Sequence, residues 1–212
     1  MADKVIVTID REFGSGGHEV ARRLAERLGV PLYDEELIAR AAQNTGYHED
    51  VVKHNDEKAP EFTISGMFSG IESFNTSPFS KIQDEEFRII REIAAEGSSV
   101  IVGRAADYIL KDEDHVSIFI FAPFEDRLKR KLELEIVNKK EHPLNEDEMA
   151  KKIKQRDKQR RKYYEFYTDN KWGSREPYDL LINTARSGIN GAVEIIETYI
   201  KRSKGKDLLS DM

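Results

Sequence analysis

A short apolar run, Val5-Ile6-Val7-Thr8-Ile9, leads into a glycine-rich turn, Asp10-Arg11-Glu12-Phe13-Gly14-Ser15-Gly16-Gly17-His18, and the turn opens an amphipathic stretch from Glu19 to Leu28. A β-branched run of this length fits a strand buried on both faces, as in a parallel sheet. Val20, Leu24 and Leu28 recur every fourth residue, with Ala21 and Ala25 beside them, and Gly29 closes the helix. Strand, glycine turn and helix in this order are the layout of an anion site, and the plainer reading is a tight strand–helix turn that needs small residues. Small residues let backbone N–H groups approach a phosphate, and the helix N-terminus adds partial positive charge. Phosphate loops that end in Gly-Lys-Ser/Thr use the lysine on the outer phosphates and the hydroxyl on magnesium. Here those two places hold Gly17 and His18. His18 reads equally as an anion contact at the helix N-terminus and as a solvated cap residue.

The rest of the chain repeats strand and helix patterns. Val30-Pro31-Leu32-Tyr33 is a brief strand, and Asp34 can cap a helix from about Glu35 to Asn44. Phe87, Ile90 and Ala94 mark a helix that ends near Gly97. Ser99–Val102 and Val116–Phe121 are strands. Phe124, Leu128, Leu132 and Ile136 stripe a helix, and Asn145 with Glu148 forms a capping-box pattern for another that runs to about Tyr164. Tyr178–Asn183 is a last strand, and Ile189, Val193, Ile196 and Ile200 stripe a last helix. This alternation predicts an α/β fold, with a central parallel sheet covered by helices on both faces. At 212 residues the chain suits one domain. Within it, residues 46–80 read as an inserted flap, 145–175 as a lid region and 203–212 as a tail. The flap carries Phe62, Ile64, Met67, Phe68, Ile71 and Phe74. Such side chains need cover, from the body, from a ligand or from a partner chain, a second copy of this one included.

Composition excludes several functions. The net charge of −6 argues against a nucleic-acid polymer or an anionic membrane as partner. The absence of cysteine removes thiol nucleophiles and zinc–thiolate sites. No run is apolar for the length of a membrane span, and a cytoplasmic location is expected.

Three further groups are candidates for chemistry. Val102-Gly103-Arg104-Ala105-Ala106-Asp107 lies where a strand ends, and Arg104 suits an anionic ligand because its planar fork donates two hydrogen bonds at once. Asp107 can ligate magnesium, accept from a sugar hydroxyl or orient Arg104. An Arg–Asp surface pair is the plainer reading. Lys151, Lys152, Lys154, Arg156, Lys158, Arg160, Arg161 and Lys162 form a basic run that only Asp157 interrupts. It reads as a solvated helix face or, more sharply, as a lid that brings arginines onto a transferring phosphoryl group. Tyr163, Tyr164, Phe166, Tyr167 and Trp172 fit packing of that helix on the body better than stacking on a base. The other histidines lack metal-ligand spacing.

Taken together, Thr8 to Gly17, Tyr33-Asp34, Val102 to Asp107, Arg156 to Arg161, Tyr163-Tyr164 through Trp172-Gly173, and Tyr178 to Thr184 resemble the cytidylate kinase-like family, a divergent branch of the P-loop nucleoside monophosphate kinases. The resemblance spans nearly the whole chain in order. It implies a three-layer P-loop kinase fold with a monophosphate-binding insertion and a lid. It implies transfer of the γ-phosphoryl group of ATP, with Mg2+, to a small-molecule acceptor, CMP or dCMP. It places the ATP phosphates at Gly14, Ser15, Gly16 and Gly17, where His18 follows as a further phosphate candidate, and the acceptor near the Asp34 helix, the flap and Arg104, with Asp107 a shifted candidate for the carboxylate of a Gly-Arg-Asp motif. It gives Arg156, Arg160 and Arg161 to the lid; these, Arg104 and Arg11, a new cation in the loop that could also simply pair with Glu12, are the candidates for catalytic charge. Against a loop of the form Asp-Gly-Pro-x-Gly-Ser-Gly-Lys-Ser/Thr, Arg11 stands for the first Gly, Gly17 for the Lys and His18 for the hydroxyl residue. A nucleotide- or anion-binding module with little or no turnover is the alternative.

Overall fold

The computed structural model of the protein describes residues 4–34, 78–138 and 142–204. The helix expected over 35–44, all of the flap before Pro78 and the tail beyond Lys204 lie outside the described residues.

Five strands form one parallel sheet in the order β2-β3-β1-β4-β5. They are β1 (Ile6–Arg11), β2 (Leu32–Tyr33), β3 (Ser99–Val102), β4 (Val116–Phe121) and β5 (Leu180–Asn183). The central β1 pairs with β3 from Ile6↔Ser99 to Ile9↔Val102 and with β4 from Val7↔Val116 to Arg11↔Ile120. β1 is buried along its whole length, as its β-branched sequence requires of a central strand. It also runs two residues past Ile9, so Arg11 belongs to the strand and not to the turn.

The helices are α1 (Gly17–Leu28), α2 (Pro78–Glu96), α3 (Ala106–Ile109), α4 (Phe124–Val137), α5 (Glu146–Tyr167) and α6 (Thr184–Lys204). On one face of the sheet, Val20, Leu24, Val193 and Ile196 of α1 and α6 pack on Val7, Ile9, Val100 and Ile118. On the other, Ile89, Ile90 and Ile93 of α2 and Ile109 beside them cover Ile6 and Ile101. Helix α1 ends in a glycine cap, Gly29 at φ 66°, whose N–H reaches the carbonyls of Ala25 and Glu26. Helix α5 begins with the expected capping box: Asn145 accepts from the Glu148 N–H at 3.0 Å, and the Glu148 carboxylate accepts from the Asn145 N–H at 2.9 Å.

The α4 stripe departs from its sequence pattern. Leu128 is buried against Met149 and Ile153 of α5, but Ile136 is 74% exposed while its neighbour Glu135 is buried, so the buried face of α4 does not follow the apolar stripe to its end. α6 starts at Thr184, before its apolar stripe, and is broken at Gly188, where φ is 66° and ψ 176°. No described helix is long and apolar enough to cross a membrane.

Candidate functional site

The carboxyl end of β1, the loop after it and the start of α1 make the floor of a cleft of about 440 Å³. This is where ligands sit in open α/β sheets, outside the strand ends where the connections diverge to opposite faces. Gly14 and Gly16 have φ of 87° and 86°, a left-handed backbone that other residues adopt only at a cost, so the turn needs its glycines. The Ser15 side chain is buried and faces inward. Its Oγ donates to the Glu12 carbonyl at 2.8 Å and accepts from the Gly17 N–H at 3.3 Å. Thr184 Oγ1 donates to the Ser15 carbonyl at 2.5 Å, tying the turn to the start of α6.

Arg11, Gly14, Gly16, Gly17, His18, Asp34 and Arg160 line this cleft, so the structure brings together seven of the residues singled out above. His18 Nδ1 lies 2.9 Å from Asp34 Oδ2 at the cleft mouth. Gly17 is glycine for want of space: a Cβ there would lie 2.4 Å from the Cβ of Arg11.

Two cations of the lining, Arg130 and Lys131, come from α4 and were not among the candidates. On the sequence they are ordinary polar-face residues of an amphipathic helix, and only tertiary placement turns them toward the loop. The Phe13 ring organises part of this rim, with Lys131 Nζ 4.8 Å and Arg160 Cζ 5.7 Å from its centroid. Arg160 Nη1 also donates to the Arg11 carbonyl at 3.0 Å.

Behind the loop, an ion-pair knot joins the two cationic helices to it. Arg127 of α4 is buried; its Nε donates to the Ala122 carbonyl at 3.0 Å and its Nη1 to the Phe13 carbonyl at 3.0 Å. The same Nη1 meets Asp157 Oδ2 at 2.5 Å, and Asp157 Oδ1 accepts from the Phe13 N–H at 2.7 Å. Glu12 joins at 3.3 Å from Arg127 Nε. Burial pushes the Glu12 carboxyl up, and the Arg127 charge beside it pulls the other way. Asp157, on the sequence only an interruption in a basic run, is therefore a structural partner of the loop.

Arg104 and Asp107 lie apart from this cleft lining. Arg104 and Ala105 both have positive φ, 60° and 51°, in the tight turn between β3 and α3. Buried Arg104 reaches buried Glu86 of α2, Nη1 to Oε1 at 3.3 Å, and its guanidinium lies 5.7 Å from the Tyr163 ring centroid. Tyr163 donates to Glu86 Oε2 at 3.3 Å. Asp107 accepts from Tyr164 at 2.6 Å, and Asp10 accepts from Tyr178 at 3.2 Å. Burial, and then the charge of Asp10, pushes the Asp107 carboxyl up to about 7. Arg156 is exposed on α5, and Arg161, also exposed, lies 5.8 Å over the Trp172 ring. The aromatic residues pack as the sequence indicates: Trp172 meets Phe119 edge-on at 5.1 Å, and Tyr164 stacks near Tyr178 at 6.3 Å.

A smaller recess, about 220 Å³, adjoins the first and shares Gly14 and Arg130 with it. Ala122, Thr184, Ala185, Gly188 and Ile189 form much of its remaining wall. Among the described residues, no three acidic or histidine side chains are grouped to hold a metal by themselves.

The family model described as the cytidylate kinase-like family matches residues 6–186. The chain is 27% identical over 199 residues to a cytidylate kinase of Pyrococcus horikoshii, covering 93% of this chain and 89% of that protein. Among solved structures, an uncharacterized protein from Eubacterium ventriosum is 30% identical, with a TM-score of 0.69, over 93% of this chain and 99% of the other. A shikimate kinase from Bacteroides thetaiotaomicron shares the fold at a TM-score of 0.54 and 14% identity, over 94% of this chain and all of the other (100%).

Proposed function

The chain belongs to the cytidylate kinase-like family, and we propose that it transfers the γ-phosphoryl group of ATP to a nucleoside monophosphate, CMP or dCMP. The observation that supports this reading most is the cleft itself: a glycine turn at the end of the central strand, faced by Arg11, Arg130, Lys131 and Arg160. Phosphoryl transfer asks a protein for positioning and for positive charge where charge develops, not for a covalent nucleophile. Gly14, Ser15, Gly16, Gly17 and His18 hold the triphosphate through the turn and the helix N-terminus. The smaller recess beside Arg130 gives room to the base attached to that triphosphate.

Arg11, Arg160 and the α4 cations stabilise the moving phosphoryl group. Arg156 and Arg161 belong to the same helix as Arg160 and join the site only if that helix shifts. Asp34 serves the acceptor at the cleft mouth. Arg104 and Asp107 serve it from the β3 end, where ligand binding has to compete with Glu86 and Tyr164.

Magnesium bound to a triphosphate needs only one or two carboxylates from a protein, because phosphates and water complete its shell. In the cleft lining, Asp34, paired with His18, and Glu12, already held by Arg127 and by the Ala122 N–H, are the carboxylates that would hold it. Held there, magnesium would supply positive charge beside the phosphates.

The test is direct. The protein is incubated with Mg-ATP and each common ribo- and deoxyribonucleoside monophosphate, and ADP is measured above the blank without acceptor. ADP formed with CMP or dCMP alone is the expected result. A panel flat for every acceptor sinks the nucleotide-kinase reading. Gly17 and His18, in place of lysine and a hydroxyl, favour a second reading, a module that binds nucleotide without turnover. Tight ATP binding by calorimetry together with a flat panel selects it.

A further inference from the structure

We propose that Arg11 and Gly17 are the two halves of a single exchange: Arg11 carries the cation that phosphate loops ordinarily carry at the place of Gly17, and a side chain can stand at only one of the two positions. The inference rests on the triphosphate reading of the cleft and names the residue that supplies its central charge.

The argument is one of space. A Cβ built on Gly17 falls 2.4 Å from Arg11 Cβ, 3.0 Å from Arg11 Cγ and 3.2 Å from Ile120 Cβ. Two carbons attract at about 3.5–4.0 Å, so the first of these distances is deep overlap. The backbone fixes both Cβ atoms, and no change of rotamer relieves the clash. Backbone torsion is not the reason for glycine here, because Gly17 is the first residue of α1 and lacks the left-handed φ of Gly14 and Gly16. At least one of the two positions must therefore be glycine. In the loop Gly-x-x-x-x-Gly-Lys-Ser/Thr the first glycine and the lysine are six residues apart, as Arg11 and Gly17 are. That loop places glycine at the first position and the cation at the second, and this chain holds the opposite assignment. The lysine is thus not simply lost: its place is filled by the stem of Arg11.

Charge and burial agree with this. Arg11 ends the central strand, is 7% exposed, and lines the cleft together with Gly14, Gly16 and His18. A guanidinium in a desolvated site holds phosphate oxygens through paired, charge-assisted hydrogen bonds. The Arg160 hydrogen bond to the Arg11 carbonyl fixes the strand end from which the side chain leaves.

The experiment titrates inorganic tripolyphosphate by calorimetry into the wild type and into Arg11→Met, Arg11→Gly, Gly17→Lys and the double variant Arg11→Gly/Gly17→Lys, with thermal melts of each. Arg11→Met keeps an aliphatic stem and removes the charge, and binding is expected to weaken on the order of tenfold to a hundredfold. Gly17→Lys alone is expected to melt low. The double variant is expected to melt above Gly17→Lys and to recover most of the affinity lost in Arg11→Gly. The exchange is overturned by a folded Arg11→Met that binds as the wild type does, by a double variant no tighter than folded Arg11→Gly, or by a double variant that melts no higher than Gly17→Lys. A wild type that takes up no tripolyphosphate sinks the cleft reading and with it the charge assignment. The melts then judge the steric exclusion separately.

Discussion

Asp107 shows how a single side chain ties stability to pH. It is 7% exposed, accepts from Tyr164, and shares its surroundings with Asp10, which holds Tyr178. Its carboxyl is raised to about 7, first by burial and then by the Asp10 charge. Between the ordinary carboxylate range and about 7, the folded protein keeps this proton while the unfolded chain has lost it. The resulting stabilisation is complete below the ordinary range, declines as pH rises, and is gone above about 7. Asp107→Asn is neutral at every pH and still accepts from Tyr164. Relative to wild type it is therefore expected to gain stability between about pH 5 and about pH 8. Urea unfolding of both proteins at the two pH values is the check, and a difference that does not change with pH refutes it. The sequence singled out Asp107 and Arg104 by their place at a strand end, and the fold puts both there. It did not show Tyr164 as the partner of Asp107, Glu86 and Tyr163 as those of Arg104, or Tyr178 as that of Asp10. Those contacts join residues as far apart as Asp10 and Tyr178, and no local spacing encodes them.

Among the elements, α5 is the one whose sequence and structure differ most in emphasis. Its basic run suggests a solvated or swinging lid, and local pattern did reveal its start, since the capping box is a matter of residues three apart. The structure adds an anchor in mid-helix, where Asp157 ties Arg127 and the Phe13 N–H together. Arg160 follows Asp157 by three residues, and Arg130 and Lys131 follow Arg127 by three and four. The knot thus fixes one turn of each helix, and the next turn of each presents its cations to the cleft. Asp157→Ala leaves buried Arg127 with Glu12 as its remaining acidic partner and strips the Phe13 N–H of its acceptor. The expected loss is about 2 kcal/mol, against about 1 kcal/mol for Asn145→Ala at the exposed cap. Denaturant unfolding ranks the two, and an Asn145→Ala loss larger than that of Asp157→Ala contradicts the knot. Asp157→Ala is also expected to weaken tripolyphosphate binding. Asn145→Ala, far from the loop, is expected to leave it unchanged, and this comparison separates positioning of the cations from general loss of stability.

At the scale of the whole molecule, an acidic protein is being asked to bind a polyanion. The net charge is −6, and a distributed negative charge repels ATP at long range. Arg11, Arg130, Lys131 and Arg160 converge on one cleft and attract it at short range. Salt separates the two contributions. At physiological ionic strength the screening length is about 8 Å, so repulsion from the far surface is already weak. Contacts between the cleft cations and a phosphate are made at a few ångströms and dominate what remains. Raising sodium chloride from about 50 to about 200 mM should therefore lower the affinity for tripolyphosphate, because the ions of the salt compete with the contacts between the cleft cations and the polyanion, and this loss exceeds the relief of the long-range repulsion. Bound ligand stabilises the folded state in proportion to the logarithm of its saturation ratio, so the same loss should appear as a smaller ligand-induced rise in melting temperature. An affinity that rises with salt would mean that the net charge outweighs the four cations. The cleft would then not be the phosphate site, whatever its resemblance to one.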